Sequence, residues 1–309
     1  MGTCEGSARR IMLAIVGILI VFGAVIGGYL LEHGQLAVLV QPAELVIIGG
    51  AALGTLLIAN PLATVARVAK GCVQVFRGSP YTRTVYLETL KMLNALFASA
   101  RKHGVTKLEA DIEAPEKSDI FTKHPQFLRN RHAAEFLCDT IRMNVSGGVE
   151  PFHLDQLMEL DMEVHHSESD EPIAALSAVA DSLPGLGIVA AVLGVVITMG
   201  SLGGPPEQIG HKVAAALVGT FLGILLCYGL FGPLAAGMTK ISRAEGQYLN
   251  VLRVAVVAYT RGNAPILAVE FARRAIPHAL RPSFKEMEDA CRGGASAASS
   301  QMTPSPAGK

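Results

Sequence analysis

Tryptophan is absent from the 309 residues, and charge is scarce: Asp, Glu, Lys and Arg make up 17% of the chain against 50% hydrophobic. Soluble domains carry nearer a quarter charged residues, so the deficit, with a mean hydropathy of +0.40, argues against a wholly soluble protein and for membrane segments. The 26 bases balance 26 acids, so there is no basic excess of the kind that binds nucleic acid. The five cysteines are scattered and form no C-x-x-C pair, which leaves neither a zinc ribbon nor a disulfide framework indicated. No Ser/His/Asp or Cys/His constellation stands out, so neither enzyme chemistry nor a cofactor is expected. The acidic run from Glu159 to Glu171, which includes His165 and His166, spreads its groups around a helix and reads as a solvated face rather than a metal site.

What is present are four stretches free of Asp, Glu, Lys and Arg, or nearly so, each long enough to cross about 30 Å of hydrocarbon: residues 11–31, 45–66, 182–206 and 213–239. The first follows Arg9 and Arg10 as a signal peptide would, but its apolar core is too long and no small-x-small cleavage site follows, so it is read as a retained span. The bases set the orientation. Residues 1–10 hold two, residues 61–183 thirteen and residues 236–309 ten, while the connector 32–44 has none and the connector 203–212 only Lys212. By the positive-inside rule both termini and the long middle segment are cytoplasmic.

The chain therefore divides as an all-α integral membrane protein: an N-terminal extension (1–11), two spans (12–66), a cytoplasmic helical domain (67–181), two further spans (182–239), a cytoplasmic helical region (240–292) and a tail without apolar mass (293–309), expected to be disordered. Val85, Leu87, Leu90, Leu93, Leu96 and Phe97 recur at helical spacing, with Gly104 placed as a C-cap; Phe152, Leu154, Leu157, Leu160 and Val164 predict a second amphipathic stripe. Only AVLVQP (37–42) and RVAVVAY (253–259) compete as strands.

The spans carry packing signals. GAVIG, GAALG and GTFLG are small-xxx-small pairs that allow helix backbones to approach. Pro184 and Pro233 lie near the cytoplasmic ends of the third and fourth spans, where each removes a helix hydrogen bond and serves either as a bending point or as a helix start or stop. The third and fourth spans contain no acid. Asp181 lies just outside and Glu44 at the outer edge of the second, leaving Thr198 and Thr220 as the deep hydroxyls. An ion path here needs a carboxylate from elsewhere.

Taken together, YLLEHGQLAVLVQPAELVIIGGAALGTLLIANP, DSLPGLGIVAAVLGVV and ALVGTFLGILLCYGLFGPLA resemble the flagellar motor stator subunits of the MotA family, from about Met12 to Glu286. The resemblance implies a bacterial inner-membrane proton channel formed with MotB, whose transmembrane aspartate would supply the missing carboxylate, and torque on the rotor protein FliG. It implies a pentamer around two MotB chains. It places the ion-path and coupling roles on Pro184, Thr220 and Pro233, and rotor contact on Arg101 and Glu109. The QPAELVII form resembles the proton-driven branch. The energisers of outer-membrane transport, ExbB and TolQ, are the alternative, with three spans where four are counted here.

Overall fold

In the computed structural model, which describes residues 2–200, 203 and 205–299, all regular structure is helical. Four helical segments are long and apolar enough to cross a membrane. The chain forms two compact units, Met1–Ser79 with Ser167–Ser242, and Pro80–His166 with Arg243–Lys309.

In the first unit α1 (Gly2–Leu31), the short α2 (Leu36–Leu39), α3 (Pro42–Ala59) and α4 (Leu62–Arg77) follow one another. AVLVQP is thus no strand: residues 36–39 form α2, and Pro42 opens α3 at a position whose missing N–H costs nothing. The second span was expected to run to residue 66 but stops at Ala59. Asn60 takes an extended conformation (φ −134°, ψ 145°) before Pro61, as the proline ring demands of its predecessor, and α4 starts anew.

The second unit is built around α5 (Arg83–His103), with α6 (Val105–Glu113), α7 (Pro125–Arg129) and α8 (Arg131–Gly147). Thr82 caps α5 by accepting from the Val85 N–H, and Gly104, at φ +81°, ends it by donating to the Ala100 carbonyl, the left-handed geometry glycine tolerates. Tyr86, Leu90, Leu93, Leu96 and Phe97 are at most 1% exposed. They join Phe121, Leu137, Tyr248, Leu252 and Val256 in one core.

α9 (Pro151–Met199) is a single 49-residue helix. Residues Pro151–His166 lie in the second unit and the rest in the first. Its amphipathic stripe differs from the one predicted. Leu154 and Met158 are buried with Met162 beside them, while Phe152, Leu157, Leu160 and Val164 are exposed. The i, i+4, i+8 row is the one that joins the core of the second unit. α10 (Pro206–Leu226), a π-helical turn (Cys227–Phe231) and α11 (Gly232–Thr260) follow, so RVAVVAY is also helical. α12 (Pro265–Ala275) and α13 (Phe284–Ser299) pack on α5. The helical run through Ser299 enters the stretch expected to lack structure, because alanine-rich sequence favours helix; residues 300–309 lie outside the described residues.

Candidate functional site

Everything the sequence singled out in the spans lies in the first unit, with Pro184, Thr198 and Thr220 on α9 and α10. The two helices meet through small residues. A side chain on Gly187 would come 2.7 Å from the Gly219 carbonyl oxygen and 3.2 Å from the Thr220 Cα, and one on Gly223 would collide with the Leu183 carbonyl. Ala190, fully buried, and Gly194 against Ala216 continue this seam. Where lipid replaces water, such close backbone approach is what holds helices together. Of the three predicted glycine pairs, only Gly219–Gly223 serves this internal contact. Gly23, Gly27, Gly50 and Gly54 face open space in the single chain.

The two hydroxyls of the seam differ. Thr198 is fully buried and donates to the Gly194 carbonyl at 2.8 Å, satisfied within its own helix. Thr220 is half-buried and has no hydrogen-bond partner among the described residues. Its neighbour Gly219 packs the other way, against the Glu44 carboxylate.

Glu44 is the residue that sequence reasoning set aside. Placed in the first turn of α3 by the Pro42 start, it is 7% exposed and touches Gly219 and, at 3.7 Å from a side chain placed on Gly194, the α9 side of the seam. Its Oε2 is buried without a hydrogen-bond partner among the described residues. The chain therefore brings one carboxylate of its own into the helix cluster, at the N-terminal end of α3. The only available signal was its pairing with the glycines of two other helices, which a linear reading does not contain.

The two prolines prove to be interior positions. Pro184 sits well inside α9, not at the start of a helix, and leaves the Ala180 carbonyl without its i+4 donor. Pro172, earlier in the same helix, does the same to Glu168, and there the Arg67 guanidinium donates to the freed carbonyl at 3.3 Å. Arg67 also bonds Glu171 (2.6 Å) and Thr64 (3.1 Å), and Thr64 donates to Glu171 at 2.8 Å. The hydroxyl and guanidinium hold the Glu171 carboxyl below the usual carboxylate range. Within that acidic run Glu171 is thus paired rather than freely solvated, and Glu159 pairs with Arg253, which also binds Asp155. Pro233 follows the π-helical turn, in which the Gly232 N–H reaches back to the Cys227 carbonyl. A wide turn ahead of the proline gives room for the ring that an α-helical turn would crowd, and such insertions bend helices.

Arg101 and Glu109 lie in the second unit, on the last turn of α5 and on α6, joined by Gly104. Both are exposed, and neither is in an ion pair among the described residues.

Residues 15–104 match the Motility protein A N-terminal family and residues 128–250 the MotA/TolQ/ExbB proton channel family. The chain is 41% identical over 281 residues to Motility protein A of Escherichia coli (strain K12), covering 91% of this chain and 95% of that protein. It is 35% identical over 277 residues to the Chemotaxis protein LafT of Vibrio parahaemolyticus, covering 90% and 97%. Among solved structures, the flagellar MotAB stator complex from Bacillus subtilis aligns with a TM-score of 0.68 at 24% identity, covering 89% of this chain and 98% of that one. The C. jejuni MotAB structure aligns with a TM-score of 0.70 at 20% identity, covering 85% and 95%.

Proposed function

The chain belongs to the Motility protein A family, and on that premise we propose that it is a stator subunit of a bacterial flagellar motor, passing protons across the inner membrane together with a MotB-type partner. The observation that carries this reading is the α9–α10 seam: two backbones in contact through glycine, a hydroxyl at Thr220 without a partner among the described residues, and no acid in the apolar stretches 182–206 and 213–239 of the two helices. Protons cross hydrocarbon by way of titratable groups, so the seam forms one wall of a path completed by the partner's aspartate. Thr220 positions the ion beside it, and Glu44 provides this chain's own carboxylate toward the outer end. The four spans favour a flagellar stator over a three-span ExbB- or TolQ-like energiser.

Titration of the partner's acid removes a charge from a low-dielectric site, a local change that a bistable helix pair amplifies. Pro184 and the π turn before Pro233 are the weakened points at which α9 and α10–α11 bend. Arg101 and Glu109 then make electrostatic contact with the rotor, the FliG surface in this family. Five chains around two partner helices is the assembly that the open glycine faces of α1 and α3 suit. Both termini are cytoplasmic, and a cysteine placed at Gln35 is expected to react with an impermeant thiol reagent in intact cells while one at Glu116 is not.

The test is proton influx into cells expressing the chain with and without its partner. Influx is expected only with both, and Thr220→Val is expected to reduce it severalfold while the two proteins still co-purify. Strong influx from this chain alone would refute the shared path.

A further inference from the structure

Three groups outside the proposed ion path converge in the second unit: His132 on α8, His165 on α9 and Glu245 on α11. Each offers one ligand atom, and these atoms all lie within 4.8 Å of one another. The sequence reading excluded a metal on α9 because the acids of residues 159–171 scatter around one helix. That argument holds for α9 alone, but the site is made by three helices. From this convergence we infer that His132, His165 and Glu245 form a binding site for a divalent transition metal of the zinc class.

The donor set suits that class. Two imidazoles and one carboxylate are the ligands of many three-coordinate zinc sites that leave a fourth position to water, and nitrogen-rich sets disfavour calcium and magnesium. A tetrahedral ion with bonds of about 2.0–2.1 Å holds its ligand atoms about 3.3 Å apart. His165 Nε2 and the Glu245 carboxylate are already 3.5 Å apart. The His132 ring stacks on that of His165, with centroids 3.7 Å apart and planes at 20°, so a ring rotation brings its nitrogen to the same point. His132 Nδ1 is buried and has no hydrogen-bond partner among the described residues, the condition of an atom that lacks a ligand.

The surroundings fix the ligands as outer partners of metal sites do. Asn130 caps α8 by accepting from the Ala133 N–H at 3.2 Å, which sets His132 in the first turn. The Asn130 amide also donates to the Tyr81 hydroxyl at 3.1 Å, and Tyr81 hydrogen-bonds Glu245. No Lys or Arg pairs with Glu245 among the described residues, so its charge is left to the two imidazoles.

The experiment is a metal titration of the full-length chain, purified with its partner in detergent through a tag that contains no histidine. Zinc is expected to bind at one equivalent per chain and to raise the melting temperature by several degrees. Cobalt in its place is expected to give the intense visible bands of a tetrahedral ion. His132→Gln and His165→Gln are each expected to weaken zinc binding at least tenfold, while His153→Gln, on an exposed position of α9, leaves it unchanged. Absence of stoichiometric zinc, or equal affinity in His132→Gln and the unaltered chain, would overturn the site. If the histidine variants fail to fold, the cobalt spectrum of the unaltered chain decides: tetrahedral bands support the site, and the faint absorption of an octahedral, adventitious ion refutes it.

Discussion

The two units of this chain solve the same packing problem with opposite materials. In the first, α9 and α10 touch through Gly187, Ala190, Gly194, Ala216, Gly219 and Gly223, with backbone against backbone. In the second, α5 is buried among large side chains such as Tyr86, Leu93, Phe97, Phe121 and Tyr248. The difference follows from the solvent. Apolar side chains gain nothing by leaving lipid for protein, so only close van der Waals contact joins helices there, whereas removal from water drives the second unit together. A glycine seam is also thin, which lets a half-buried hydroxyl and a buried carboxylate sit beside it.

The sharpest way to break this comparison is to give the seam a side chain. Gly223→Val would drive two methyl groups into the Leu183 backbone, which cannot yield as a side chain tip can. Complete loss of swimming and of partner co-purification is the expected outcome, and normal assembly would show that the seam is not the contact that holds α9 and α10. In the second unit the largest effect is expected in the reverse direction. Leu93, fully buried, becomes a cavity in Leu93→Ala at a cost of about 2–5 kcal/mol, read as a lower denaturant midpoint of the purified complex. The protein is expected to retain proton influx in whatever fraction folds. A smaller effect is expected at Glu44. Glu44→Gln keeps the shape and removes the charge, so influx is expected to fall severalfold with assembly intact. Unchanged influx would reduce the buried carboxylate to a packing residue.

The four long apolar helices, their order and the helices of the second unit were legible because length, charge and periodicity are local properties. Gly104 was legible for the same reason: a glycine after a run of bases ends a helix. Asn60–Pro61 carried a readable stop that the apolar run around it masked. What could not be read were the pairings. Glu44 looked peripheral until Gly219 and Gly194 were placed around it. Pro172 drew no comment until Arg67 was found at the carbonyl it frees. The stripe on α9 had two apolar rows, Leu154–Met158–Met162 and Phe152–Leu160–Val164, and only the core assembled by the second unit chooses between them. His132, His165 and Glu245 are far apart in sequence, so no spacing announces them.

The proposed function is a division of labour: the first unit carries the proton, and exposed charges of the second deliver the force. Measuring proton influx and swimming in the same cells for Arg101→Glu tests it most directly. Arg101 is exposed, outside any ion pair among the described residues, and in the second unit. Influx equal to that of the unaltered chain, with swimming reduced and partly restored by a compensating charge reversal on the rotor, is the outcome expected. Loss of influx together with swimming would contradict the division.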